Sequence, residues 1–124
     1  VADARNYTAM ILLTSTSDQL QLVTSAAVTV DVHASWVDTL GATVTAGRTN
    51  TNISTAATTT VTPSPAASTQ RNMKTMHVRN RHATLATDVT VQHTDGSTVV
   101  RLYKTTLYPG GVLEYTDQGG FQQF

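Results

Sequence analysis

The sequence predicts an all-β fold, an antiparallel β-sandwich or jelly roll of about eight short strands with an extended N-terminal arm. Three observations predict it. From Ala27 to Asp38 ("AVTVDVHASWVD") apolar and polar residues alternate, with Val28, Val30, Val32, Ala34 and Trp36 on one face and Thr29, Asp31, His33 and Ser35 on the other. That period marks a sheet packed on one side and wetted on the other. Roughly a fifth of the residues are Thr, which is β-branched and favours strands. Turn signals separate short apolar runs throughout, and no stretch keeps a helical period.

The elements follow in order. Residues 1–8 ("VADARNYT") have no period and form the arm; residues 9–124 form a single domain. "AMILLTST" (Ala9 to Thr16) and "QLQLV" (Gln19 to Val23) predict two strands with a turn at Ser17 and Asp18. The 27–38 strand comes next. In "TLGATVTAGRTNTN" Gly41, Gly47 and Asn50 supply turn chemistry, with Val44 on a short edge strand. "ISTAATTTVT" (Ile53 to Thr62) predicts a strand, and "PSPAAST" breaks it, because proline cannot donate to a ladder. "RNMKTMHVRNRH" (Arg71 to His82) predicts a strand with Lys74, Met76 and Val78 on one face and Met73, Thr75, His77 and Arg79 on the other. "DVTVQHTDG" is expected to pair with it as a hairpin across "NRHATLAT". "TDGS" is a hairpin turn signal. "TVVRLYKTTLY" follows, then "PGG" as a hairpin turn needing positive φ at glycine, then "VLEYTD" and a closing "QGGFQQF". The predicted core is Val28, Val30, Val32, Trp36, Val89, Val91, Leu102 and Leu113.

Composition narrows the function classes. There is no cysteine, which removes disulfide frameworks and thiolate chemistry. The formal net charge is +0 and only 13% of residues are charged, against the basic surplus of a phosphate-gripping domain. The longest apolar run, Ala9 to Leu13, is far short of a membrane span of about 18 residues. The first residues lack the order of a secretory leader, so none is expected. No nucleic-acid or membrane partner is expected.

Chemistry-bearing patterns are sparse. His77 and His93 would meet across the expected hairpin, and with Asp31 or Asp88 could hold zinc. His33 and His82 complete the set, but no close His pair exists in the sequence, so no metal is expected. No nucleophile elbow and no usefully spaced carboxylate pair occurs, so neither enzyme activity nor a catalytic residue nor a cofactor is expected. The Arg71–His82 stretch holds four Arg or Lys and no acid. Aromatics do not interleave with the cations, as single-strand binding requires. It reads as a solvated strand face, with Asp88 and Asp95 across the hairpin as ion-pair partners.

The phrases "LLTSTSDQLQLVTSAAVTVDVHASWVD", "TTTVTPSPAASTQRNMKTMHVRNRHA" and "VTVQHTDGSTVVRLYKTTLYPGGVLEYTD", with the closing "GGF", resemble a group of small β-rich virion proteins of tailed bacteriophages. The resemblance runs from Ile11 to Phe121. It implies a non-enzymatic structural protein on the exterior of a virion, as capsid decoration, cement or tail or neck accessory. The implied partners are major capsid or tail proteins and further copies of the chain in a homo-oligomer. Arg5 and Tyr7 in the arm, with Arg71, Arg79 and Arg81, are then the candidate intersubunit contacts. The alternative is a carbohydrate- or host-receptor-binding module of a phage fibre. Such sites present an aromatic platform, whereas Trp36 shares the strand face of Val28, Val30 and Val32.

Overall fold

The computed structural model describes residues 10–124, so the expected arm and its Arg5 and Tyr7 lie outside the described residues. Among these residues the chain forms ten strands and no helix: β1 (Leu12–Leu13), β2 (Gln19–Thr24), β3 (Val30–Leu40), β4 (Thr43–Ile53), β5 (Thr58–Thr62), β6 (Gln70–Asn80), β7 (Thr87–Thr94), β8 (Val99–Leu107), β9 (Val112–Thr116) and β10 (Gly120–Gln123). Two antiparallel sheets result. One has the order β10-β9-β6-β3-β4, with β1 also on β6; the other has the order β5-β2-β7-β8. They pack as the predicted β-sandwich.

The core lies between the sheets and follows the period-two residues. Val28, Val30, Val32, Ala34 and Trp36 from the β3 region meet Met73, Met76, Val78, Leu113 and Tyr115 of the same sheet and Leu20, Leu22, Val89 and Val91 of the other. Each fully buried Val or Leu is worth about 1.5–3 kcal/mol relative to exposure. Seven of the eight predicted core residues are buried. Leu102 is not; it is 36% exposed.

Leu102 and one face of β6 depart from expectation for the same reason, a β-bulge. In β8, Val91 pairs with Tyr103 and Gln92 with Arg101, which leaves Leu102 as the extra residue. Tyr103 takes the inward place and stacks on Phe121, with ring centroids 4.9 Å apart. In β6, Ser35 pairs with Thr75 and Trp36 with Met73, so Lys74 is extra. An extra residue reverses the alternation beyond it. Met73 therefore joins Met76 and Val78 inside, correcting the expected grouping of Lys74 with those two. Lys74 reaches Asp117 Oδ2 at 3.0 Å.

Four further expectations change. The stretch read as turns around a short edge strand is one 11-residue strand, β4, paired with β3 along its whole length. Only Gly41 turns, at φ 58°. Gly47 instead sits opposite Trp36, where a Cβ would stand 2.6 Å from the indole Nε1. Ile53 ends β4 rather than opening the next strand. The 71–82 and 88–96 segments form no hairpin, because β6 and β7 lie in different sheets. The "PGG" segment likewise connects the two sheets, with Gly110 at φ 78°.

Asn80, fully buried at the end of β6, fastens that crossing. Its Nδ2 donates to the carbonyls of Leu85 and Leu107, each at 2.9 Å, and its Oδ1 accepts from His82 N–H at 2.8 Å. Its backbone exchanges bonds with Gly110 and Gly111. Satisfying those buried groups is what allows irregular chain to close the sandwich.

Candidate functional site

The outer face of the larger sheet carries the polar halves of its alternating strands, and register aligns them in rows. One row runs Asn50, His33, His77, Glu114, Gln122 across β4, β3, β6, β9 and β10. The next runs Asn52, Asp31, Arg79, Val112. Where β4, β3 and β6 meet, Asp31, Val32, His33, Asn50, Thr51, Asn52 and His77 line an open groove of about 400 Å³.

Most polar atoms here are already engaged. Asn52 Nδ2 donates to Asp31 Oδ1 at 2.7 Å, and Arg81 Nε meets Asp31 Oδ2 at 2.5 Å. His33 Nδ1 lies 2.6 Å from Asn50 Oδ1. Ser35 Oγ and Thr75 Oγ1 share a hydrogen bond at 2.7 Å, and among the described residues no imidazole or carboxylate bonds either hydroxyl. Asp31 thus accepts from a carboxamide on one carboxylate oxygen and a guanidinium on the other. The groove is built to present donors and acceptors.

The residues expected at contacts separate. Arg71 turns toward the end of the sandwich, where Nε and Nη2 bond the two Asp38 carboxylate oxygens at 2.9 and 3.0 Å. Its Nη1 donates to the Pro63 carbonyl at 2.7 Å, and the guanidinium lies 4.4 Å from the Trp36 ring centroid. Its side chain is only 11% exposed. Arg81 pairs with Asp31. Arg79 is exposed on the outer face. Ion pairs do form along this strand, but with Asp31, Asp38 and Asp117 rather than the expected Asp88 and Asp95, because those two belong to the other sheet's chain segments. Asp88 instead accepts from Thr106 Oγ1 at 2.6 Å.

The four histidines part company as well. His33 and His77 are direct partners across β3 and β6. His82 Nδ1 accepts from the N–H groups of Thr84 and Leu85 at 3.1 and 2.9 Å, holding the connection to β7. His93 Nε2 lies 3.1 Å from the Leu12 carbonyl, so the expected meeting of His77 and His93 does not occur. Among the described residues no group of three or more His, Asp or Glu is placed to hold a metal ion. Sequence reading missed Asn50 by taking it for a turn residue, and Asn52 by placing it in the same turn-rich stretch. The signal was present: Arg48, Asn50 and Asn52 recur at period two, the outward half of a strand whose inward half is Thr and Gly.

At the mouth of the sandwich Asp18 is buried, which pushes its carboxyl up. Hydrogen bonds from Thr14 N–H (2.7 Å) and Ser15 Oγ (2.7 Å), with nearby His93, outweigh that and hold it below its ordinary 3.8. It staples the β1–β2 crossing.

Comparison with protein-family models, with curated proteins and with solved structures returned no match to this chain.

Proposed function

We propose that the protein is a non-enzymatic structural component of a tailed-phage particle, bound to the exterior by protein contacts as a decoration, cement or tail or neck accessory subunit. The observation that carries this reading is the β3–β4 hairpin. Its tip, Leu40 to Ala46, is exposed at seven consecutive residues, and Leu40 and Val44 are 51% and 67% exposed. A hairpin exposed on both faces and tipped with apolar side chains is suited to lie on another subunit. At the opposite end of the larger sheet, where Asn80 pairs with Val30, Leu85, tied by Asn80, Phe124, tied by Val112, and Tyr108, bonded to Gly111, present further uncovered apolar surface. The resemblance in "VTVQHTDGSTVVRLYKTTLYPGGVLEYTD" supplies the setting.

Purified particles should contain the protein at a fixed, high copy number. Leu40→Ser with Val44→Ser should lower incorporation while leaving the thermal midpoint of the isolated protein unchanged. Normal incorporation of that variant would remove the hairpin from the interface, and absence of the protein from particles would end the structural reading.

A second reading, a carbohydrate- or receptor-binding module, draws on the groove beside Asn50, Asn52 and His77, whose carboxamides and imidazole match the hydroxyls of a sugar. Glycan-array binding lost on Asn52→Ala would favour it.

A further inference from the structure

We propose that His33 and His77 form a two-imidazole site for a late first-row divalent cation, of the class Zn²⁺, Ni²⁺ or Cu²⁺. The inference is independent of the particle reading. It rests on a juxtaposition created by the fold, since the two residues are 44 positions apart in sequence yet directly opposite each other in the β3–β6 ladder.

Directly opposed residues on one face of an antiparallel pair have Cβ atoms about 4.5–5.5 Å apart. Two nitrogens bound to one tetrahedral ion at about 2.0 Å each stand roughly 3.3 Å apart. Imidazoles rising from opposed Cβ atoms converge to that separation by rotation about their first two torsions. Both side chains line the same open groove, so an ion has access from solvent.

The neighbouring amide prepares one of the two ligands. Asn50 Oδ1 can only accept, so the 2.6 Å bond requires His33 Nδ1 to carry the proton. In the neutral ring that leaves the Nε2 lone pair for a metal. A hydrogen bond to the non-ligating nitrogen is the usual device for orienting a metal-binding histidine. His77 is exposed and completes the pair. The remaining coordination positions are filled by water.

The charged groups on this face set a modest affinity. Arg79 flanks His77 on its own strand, Arg48 lies one step along β4, and Arg81 is neutralised by Asp31. Glu114, directly opposite His77 on β9, offsets Arg79. The other histidines do not compete on equal terms: His82 spends Nδ1 on two backbone N–H groups, and His93 Nε2 faces the Leu12 carbonyl. Imidazole donors favour the late first-row ions over Mg²⁺ and Ca²⁺, which take oxygen ligands.

The test is a Zn²⁺ titration of the full chain, followed by the imidazole C–H resonances of the four histidines. The expected result is saturable 1:1 movement of the His33 and His77 signals, with those of His82 and His93 unmoved and no response to Mg²⁺. His77→Gln and His33→Gln should each weaken binding at least about tenfold, and Asn50→Ala, which keeps both ligands, by about tenfold through lost orientation. Both histidines are exposed, so the amide spectra of the variants should stay native; should one variant misfold, the other gives the same reading. Unsaturable shifts, or unchanged Zn²⁺ affinity in the His→Gln variants, would overturn the proposal.

Discussion

Replacing Gly47 with Ala should destabilise the fold, although alanine ordinarily improves a strand position held by glycine. A Cβ built at Gly47 comes within 2.6 Å of Trp36 Nε1, 2.9 Å of Cε2 and 3.1 Å of Cζ2. The indole has little freedom to retreat. Arg71 covers its ring, and Arg71 is itself fixed by two bonds to Asp38 and one to Pro63. Overpacking of this kind costs about 1–3 kcal/mol. Against it stands a gain of roughly 0.5–1 kcal/mol from the smaller conformational entropy of alanine in the unfolded chain. The expected net loss is about 1–2 kcal/mol. With a urea m-value of about 2 kcal/mol/M, the middle of the usual range, the unfolding midpoint falls by roughly 0.5–1 M. Trp36 is the single tryptophan, so its fluorescence reports the transition directly. In a Trp36→Phe background the smaller ring relieves the clash, and Gly47→Ala should become neutral or stabilising by circular dichroism. A midpoint for Gly47→Ala at or above the parent's would refute the reasoning, because it would mean the indole moves freely.

Asn80→Ala should lower stability by about 2–3 kcal/mol in a urea melt, since it strips partners from the Leu85 and Leu107 carbonyls and the His82 N–H. Thr62 Oγ1 is buried without a hydrogen-bond partner among the described residues, so Thr62→Val should leave stability unchanged or raise it by about 0.5–1 kcal/mol; a clear loss in the same melt would show a missed partner. Asp18 has a lowered folded-state pKa, so its contribution is fully present above its unfolded value and is lost as pH falls through the folded one. Below about pH 4 the parent should therefore lose stability faster than Asp18→Asn in acid titrations followed by fluorescence.

The period-two residues between Ala27 and Asp38 were enough to place β3 and its inward face, because a sheet wetted on one side writes its orientation into every second residue. The same logic failed at Lys74 and Leu102. A bulge inserts one residue into one strand only, and nothing local in "RNMKTMHV" or "VVRLYK" distinguishes a bulged strand from a regular one. Pairing is equally opaque. The 71–82 and 88–96 segments read as hairpin partners because they are adjacent in sequence, whereas the chain crosses between sheets there. Asn80 makes that crossing possible, yet in sequence it looks like any turn asparagine. The His33–His77 pair was hidden for the same reason: register between non-adjacent strands is set by the whole sandwich. Gly47 and Asn50 were taken for turn formers when one is a space left for an indole and the other the outward side of a strand.

β6 has a consequence for how the chain is made. It is an interior strand whose one flank is filled by β3 and whose other flank is shared end to end by β1 and β9. Tyr115 accepts a bond from Ile11 N–H across 104 positions of sequence, and Leu113 and Tyr115 are both buried. A nascent chain that has reached β8 therefore still exposes the Thr75–Arg79 edge and an open core. The sandwich closes only when β9 and β10 have emerged as well. Until then the half-built sheet offers an unpaired, partly apolar edge to its surroundings. Slow folding through non-local pairing follows from where one strand sits, and it sets this fold apart from helical proteins of similar length, whose local contacts form as they emerge.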